Sequence, residues 1–155
     1  SSSASLLAIL RSTPAALTSL LEPLAPDALT ARPAADEWSI TEILCHMRDV
    51  EREVDQPRIQ QILGEDEPFI PARMPDEWAK TREYNKQDGL SALREFTAAR
   101  IQTLETLQNL ASAQWSRKAR HAILGPTTLQ ELVGFNAEHD RLHIQQMWKA
   151  IHQSV

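Results

Sequence analysis

Cysteine, glycine and aromatic residues are all scarce in this sequence of 155 residues. The single cysteine, Cys45, excludes an internal disulfide and is typical of a reducing compartment. Only four glycines occur, whereas leucine, alanine, glutamine, glutamate and arginine are plentiful, and this composition favours helix. Valine is rare and no hairpin dipeptide separates alternating runs, so strand signals are weak throughout.

Positive charge and long apolar runs are lacking as well. The formal net charge is −5 at pH 7 and no Lys/Arg-rich segment of useful length occurs, which excludes a nucleic-acid footprint. We find no apolar stretch of about 18 residues, the length that a membrane span needs. Residues 1–5 lack the positive region and apolar core of a signal peptide, and because the sequence does not begin with Met we expect a trimmed chain. These absences predict a cytoplasmic protein without a nucleic-acid or membrane partner.

The sequence has the pattern of a single helical domain covering residues 1–155. Four segments have apolar residues at helical spacing: Ser3 to Leu21, Ser39 to about Leu63, about Asp88 to Leu110, and Thr128 to about His152. Pro14 inside the first segment indicates either a kink or a break. The sequence therefore predicts an all-α fold, a four-helix bundle with one long crossover connection.

Two of these helices carry clear start signals. Ser39 and Glu42 form a capping box, in which each side chain satisfies a free backbone amide at the other residue, and Thr128 and Glu131 form a second. Pro57 lies inside the second helix and predicts a kink, because proline removes one backbone hydrogen bond.

The connection between the second and third helices is unusually long. Gly64 is predicted to end the second helix, and the polar segment Glu65 to Lys86 contains three prolines. Such a segment allows the next helix to dock in an orientation that a tight turn would forbid. Trp78 and Tyr84 are predicted to pin the segment to the bundle.

The third helix carries a charged residue among its apolar positions. Arg100 is predicted to lie between Phe96 and Leu104 on one side of the helix. The apolar positions of this helix are Leu90, Leu93, Phe96, Ile101, Leu104 and Leu107.

His139 and His143 are the most informative polar pair. Four residues apart on a helix, their imidazoles lie one above the other, which is how a helix offers two nitrogens to one metal ion. They share a predicted inward stripe with Leu129, Leu132, Phe135, Met147 and Ala150. The alternative is a pair of satisfied core histidines. The segment is not the metalloprotease motif H-E-x-x-H, because residue 140 is Asp.

His46, on the second helix, would complete a set of three histidines. Three protein ligands leave an open position for water or substrate, as in catalytic metal sites. Nearby carboxylates either orient the imidazole or form a solvated helix face, and both readings stay open for Glu42, Asp49 and Glu53. The remaining candidates are set aside: Cys45 points away from His46 and is interpreted as a core residue, His121 falls in a loop, and His152 lies on the opposite helix face.

Three segments resemble the DinB superfamily, in particular its YfiT-like metal-dependent branch. Residues 37–51 resemble the family's W-S-x-x-E-x-x-x-H segment, residues 96–100 its third helix, and residues 125–146 its last helix with H-x-x-x-H-x-x-Q. The resemblance covers nearly the whole chain. It implies a four-helix bundle, often dimeric, that binds a divalent metal through His46, His139 and His143.

Several functions fit this resemblance. The leading hypothesis is an enzyme in which Zn²⁺ or Ni²⁺, held by the three histidines, activates a low-molecular-weight thiol or water against a small-molecule substrate, giving a thiol S-transferase or a hydrolase. Arg100, a candidate catalytic residue, would either hold an anionic group or pair with a helix carboxylate. The alternatives are a non-catalytic stress-response or interaction module with a structural or sensor metal, and a bundle whose histidines bind nothing. We expect a homodimer.

Overall fold

The computed structural model describes residues 2–153. In chain order its helices are α1 (Ser3–Leu21), α2 (Ile40–Val50), α3 (Gln56–Gly64), α4 (Trp78–Thr81), α5 (Gly89–Gln108), α6 (Ser112–Trp115) and α7 (Leu129–Gln153). A π-helical turn at Glu51–Asp55 joins α2 and α3 into one continuous helix. In the described part of the chain the long helices are thus α1, α2–α3, α5 and α7, and the predicted four-helix bundle is confirmed.

Helix α1 runs through Pro14 without a break. Proline cannot donate to the carbonyl four residues earlier, and that carbonyl, Leu10 O, accepts a hydrogen bond from Arg100 Nη1 at 3.0 Å instead. By length and composition, α1 is also apolar enough to cross a membrane, which corrects the expectation that such a stretch is missing. Its residues Leu6, Leu10, Leu17 and Leu21 are buried, so one face of α1 packs into the bundle.

Both predicted capping boxes are confirmed. Glu42 N donates to Ser39 Oγ at 3.1 Å and Ser39 N donates to Glu42 Oε1 at 3.0 Å. Glu131 N donates to Thr128 Oγ1 at 3.1 Å and Thr128 N to Glu131 Oε1 at 3.0 Å. These reciprocal bonds fix where α2 and α7 begin, and therefore the height at which each helix presents its histidines.

The long crossover is anchored as predicted. Tyr84 is fully buried and its hydroxyl donates to Asp49 Oδ2 at 2.7 Å, while Trp78 packs against the apolar core and has the Arg82 guanidinium 3.9 Å from its ring centre. Short helical turns at Pro75–Glu77 and Tyr84–Lys86 flank α4.

A small three-stranded sheet, which the sequence did not indicate, accompanies the helical bundle. Strand β1 (Phe69–Ile70) pairs in parallel with β2 (Lys118–His121), which pairs antiparallel with β3 (Gly125–Thr128). The strands are short, and β3 includes Pro126, so neither alternation nor β-branched residues mark them in the sequence. The sheet closes one end of the bundle, where Ile70 and Ala119 are buried with residues of α3 and α7.

The apolar core is divided into two clusters. One packs residues from α1, α2, α5 and α7, among them Leu17, Ile43, Phe96 and Met147. The other lies towards the sheet: Leu6, Leu10, Ile59, Ile62, Ile70, Leu104, Leu107, Trp115, Ala119, Leu129, Leu132, Val133 and Ala137. On α5, the expected core positions Leu90 and Ile101 are instead exposed, because they lie about 100° around the helix from Arg100 and the buried face.

Candidate metal centre

The three histidines singled out in the sequence lie together where α2 faces α7. The ring centres of His46 and His143 are 4.8 Å apart, and those of His139 and His143 are 5.6 Å apart. All three side chains line one small cavity of about 20 Å³ between the helices. A cavity of that size accommodates one water molecule or ion.

The ring separations suit ligands of a single ion. A zinc-bound imidazole nitrogen lies about 2.0–2.1 Å from the metal, so two imidazoles on one tetrahedral ion have their ring centres about 5 Å apart. The observed separations of 4.8 and 5.6 Å bracket that value. Within residues 2–153, however, no three donor groups already converge in ligand geometry. Closing the set therefore requires side-chain rotation, with His139 the most exposed of the three.

His46 is the most enclosed of the three histidines. It is 2% exposed, its ring packs at 4.8 Å from that of Trp38, and its Nδ1 atom has no hydrogen-bond partner. Burial, reinforced by the neighbouring His143 and His139, lowers the pKa of His46 to about 3. Its imidazole is therefore neutral at pH 7, and a buried ring nitrogen without a partner is the kind of group that a metal ion satisfies.

His143 is held by a neighbour one helical turn away. Its Nδ1 atom lies 3.0 Å from Gln146 Oε1, an acceptor that places the proton on Nδ1 and leaves the Nε2 lone pair free. This is the support that metal-binding histidines receive from groups around the site. Burial lowers the pKa of His143 below its usual value. Trp38 and Gln146 thus support the site from the W-S and H-x-x-Q segments.

The inward face of α7 differs from the predicted stripe. Leu129, Leu132, Met147 and Ala150 are buried as predicted, but Phe135 is 48% exposed. The buried face also includes Val133, Ala137 and Asp140, and its centre is rotated by about 60° from the predicted direction. His143 consequently lies at the edge of the core and His139 on its rim.

Beside the histidines, four helices contribute to one buried polar layer that was not predicted from the sequence. Arg100 Nε and Nη2 donate to Glu51 at 3.0 and 2.9 Å, and Arg100 Nη1 and Nη2 donate to Asp140 at 2.6 and 3.0 Å. Thr13 Oγ1 donates to Asp140 and Thr103 Oγ1 to Glu51. A signal was present: Asp140 falls seven residues from both Val133 and Met147, on the same helix face.

Arg100 therefore follows the second of the two alternatives stated for it. With Leu10 O as the fifth acceptor, every one of its five N–H groups is used inside the fold, and none is left for a substrate anion. The carboxylates of Glu51 and Asp140 raise the pKa of Arg100 against the opposing effect of its burial. Two carboxylates facing one guanidinium leave the wall of the small cavity with an excess negative charge, which favours a cation there.

None of the three carboxylates near His46 hydrogen-bonds to its ring. Buried Glu42 accepts from Arg32 and from its own helix cap, and buried Asp49 accepts from Arg48, Arg82 and Tyr84. Exposed Glu53 pairs with Arg82. For Glu42 and Asp49 both sequence-based readings are wrong, because each is a buried partner of an arginine.

The Cys45 thiol and the imidazoles of His121 and His152 do not line the small cavity. Cys45 is fully buried, and burial raises the pKa of its thiol to about 11, so the interpretation as a core residue is confirmed. His152 stacks on Trp148 with ring centres 4.1 Å apart. His121 ends β2, where its Nδ1 accepts from the backbone N–H groups of residues 123 and 124.

Two open clefts flank the histidines. A large cleft of about 650 Å³ has His143, Trp38 and Gln146 in its wall. A smaller one of about 180 Å³ reaches His139 from the side of the sheet. The histidines are therefore enclosed towards the polar layer but reachable by small molecules from two directions.

Comparison with known proteins gives the chain its family. It is 26% identical over 141 residues to the uncharacterized protein YuaE of Bacillus subtilis, covering 82% of this chain and 85% of YuaE. Its fold is similar to that of YfiT from Bacillus subtilis, with a TM-score of 0.85 and 19% identity over 96% of this chain and 85% of YfiT. YfiT is described as a probable metal-dependent hydrolase with an unusual four-helix bundle topology. The family model of the DinB superfamily matches residues 9–147, and this chain accordingly belongs to the DinB superfamily.

Proposed function

We propose that this protein is a metal-dependent enzyme that holds one divalent cation on His46, His139 and His143 and acts on a small molecule. The observation that carries the proposal is that three imidazoles from two helices line one ion-sized cavity. The unpartnered His46 Nδ1 and the excess negative charge of Glu51 and Asp140 support it. YfiT, with the same fold, is described as metal-dependent.

The donor atoms limit which metal ion the site would prefer. Three neutral imidazoles suit Zn²⁺ or Ni²⁺, and a hard, oxygen-seeking ion such as Mg²⁺ would find no oxygen ligand among them. A bound divalent ion supplies Lewis acidity and lowers the pKa of a coordinated water or thiol.

The chain's own residues set the conditions for that chemistry. Gln146 fixes which nitrogen of His143 carries the proton, and Trp38 packs against His46 and limits its ring orientations. The buried Glu51 and Asp140 give a negative potential at the cation site. Both carboxylates hydrogen-bond to Arg100 and neither hydrogen-bonds to a histidine. The large cleft at His143 has no residue of this polar layer in its wall and gives a substrate access to the site.

The thiol of this chain does not supply the nucleophile, which points to water or an added thiol. Cys45 is buried, its pKa is raised to about 11, and it lies outside the lining of the small cavity. Water would make the reaction a hydrolysis, the activity suggested for YfiT; a low-molecular-weight thiol would make it an S-transfer. Parallel assays of the metal-loaded protein with and without added thiol, on activated esters and on electrophilic acceptors, distinguish the two.

The deciding experiment is metal content by mass spectrometry on protein purified without a histidine tag. We expect about one Zn²⁺ or Ni²⁺ per chain, in keeping with a single three-histidine site, and its loss in His46→Ala and His143→Ala. His152→Ala, which removes an exposed histidine from the far end of α7, is the matched control and should keep the metal. A native protein that stays metal-free after reloading would overturn the proposal.

A further inference from the structure

The smaller cleft differs from the large one in its charge. It is lined by Arg58 from α3 and Arg73 from the crossover, and by His121 at the end of β2. It shares Asp55, Asn136 and His139 with the ion-sized cavity, so the two spaces border each other. A molecule in this cleft would therefore lie directly beside the proposed metal site.

In the described part of the chain, the two arginines of the cleft have no ion-pair partner. Arg58 Nη2 donates to the carbonyl of Pro71 at 2.9 Å, and the Arg73 guanidinium lies 5.5 Å from the ring centre of Trp78. Within residues 2–153 neither has a carboxylate oxygen within 4.0 Å. Arg58 is half-buried and Arg73 is exposed, whereas the buried Arg48 and Arg100 and the half-buried Arg82 each pair with a carboxylate. Two guanidiniums that face one cleft without counter-ions leave donor capacity for an anion.

The single carboxylate of the lining does not cancel this charge. Asp55 is the one carboxylate in the lining, and two guanidiniums outnumber it. Burial lowers the pKa of Arg58, with Asp55 opposing and Arg73 adding to that shift, as expected for two cations close together. The cleft therefore keeps a net positive charge.

The rest of the wall is apolar. Leu132 and Val54 are buried, and Leu124 and Phe135 are 46% and 48% exposed at the mouth. Exposed Leu and Phe side chains beside unpaired arginines form an amphipathic surface. The volume of about 180 Å³ is slightly larger than an engineered cavity of about 150 Å³ that holds benzene.

We infer that this cleft is a substrate subsite for the carboxylate of a small amphipathic acid. Arg58 and Arg73 hold the carboxylate, and an apolar body about the size of one aromatic ring lies on Leu124, Leu132 and Phe135. The end of such a molecule reaches His139, which places a reacting group beside the metal site. This inference rests on the proposed function for its catalytic meaning and on the cleft alone for its binding chemistry.

The test is titration of the full chain with benzoate and with benzyl alcohol, a neutral molecule of similar size, followed by calorimetry at constant ionic strength. Each titration is made on chelated and on Zn²⁺-loaded protein. The variants are Arg58→Gln and Arg73→Gln, with Arg11→Gln, an exposed arginine on α1, as the matched control. Circular dichroism checks that each variant folds. Arg73 makes no hydrogen bond within residues 2–153, so Arg73→Gln keeps the test informative if Arg58→Gln does not fold.

We expect benzoate to bind chelated protein about 10- to 100-fold more tightly than benzyl alcohol, the range of a charge-assisted hydrogen bond. Both variants should lose this preference and Arg11→Gln should keep it. Equal binding of the two probes, or a preference that survives Arg73→Gln and Arg58→Gln, would overturn the subsite. An arginine-dependent preference in a chain that holds no metal would instead leave the subsite standing and remove the proposed function.

Discussion

The Arg100 side chain satisfies buried acceptors from three other elements of the fold. It lies on α5, yet its five donors reach α1, the π-helical turn and α7. One of them bonds to Leu10 O, the carbonyl that Pro14 leaves without a donor, so α1 tolerates a proline in its interior. Arg100 thereby compensates two buried carboxylates and a proline at once.

Replacing Arg100 should lower the free energy of unfolding. Arg100→Met leaves Glu51 and Asp140 buried without a counter-charge, and breaking a buried pair in this way costs about 3–5 kcal/mol. Urea denaturation measures the free energy of unfolding. The matched control is Arg52→Met, whose exposed pair with Glu95 should be worth at most about 1 kcal/mol.

Neutralising the two carboxylates should restore stability to the Arg100→Met protein. Adding Glu51→Gln and Asp140→Asn to Arg100→Met removes the uncompensated charges and should restore much of the lost stability. An Arg100→Met protein as stable as Arg52→Met would show that the polar layer contributes nothing to folding.

Individual site residues were predictable where their spacing alone carried the signal. The pairing of His139 with His143 follows from their four-residue spacing, and His46 was proposed as the third ligand because it lies on another helix of the predicted bundle. The exposure of His139 and the burial of Asp140 were not predictable, because the inward direction of α7 is set by its neighbours and not by its own period. The three-histidine metal site itself stays a prediction until metal is measured.

At the scale of elements, helix starts were the most predictable feature. The capping box at Ser39 fixes the first residue of α2 and hence the height of His46, seven residues later. Ser39 is fully buried, and its hydroxyl also donates to Asn85 Oδ1 in the crossover at 2.5 Å. The cap therefore joins the helix to the segment that packs over it.

Ser39→Ala should destabilise the protein by about 1–2 kcal/mol, the cost of losing a buried cap. In a chain of this length that corresponds to a fall in Tm of roughly 2–8 °C, measured by thermal circular dichroism. Ser2→Ala removes the exposed cap of α1 and is the matched control, with a much smaller expected effect. Equal shifts for the two variants would mean that the cap acts only locally.

Elements formed by contacts between residues far apart in the sequence were not predicted. The strands β1 and β2 pair residues some fifty positions apart, and neither has the composition of a strand. Pro57 predicted a kink, and the chain forms a π-helical turn just before it, which accommodates the missing N–H without interrupting the helix. The bend itself stays a prediction.

At the scale of the whole molecule, the bundle is held by two apolar clusters above and below the polar layer. Both clusters consist of apolar side chains from several helices. Because the histidines lie beside the layer and not within either cluster, the metal is not needed to form the core. The expected homodimer and cytoplasmic location stay predictions.

Chelation with EDTA should therefore leave a folded protein. We expect unchanged helical circular dichroism and a cooperative unfolding transition. The free energy of unfolding should fall only by the contribution of metal binding to the folded state, about 3–4 kcal/mol at metal concentrations 100 to 1,000 times Kd. His143→Ala should show no EDTA effect and is the control. Unfolding on chelation would instead support a structural metal, as in a non-catalytic module.

The π-helical turn also fixes a count of residues along the chain. A continuous α-helix over residues 40–64 would carry Ile59 and Ile62 about 100° away from the face that buries Ile43 and Met47, and the one surplus residue returns them to it. Deleting a single codon in this stretch would turn all of α3, and Arg58 with it, whereas a substitution would change one contact. The position of Arg58 relative to His46 thus depends on the number of residues between them. A family member without the surplus residue of the π-helical turn would bring a different side chain to the cleft.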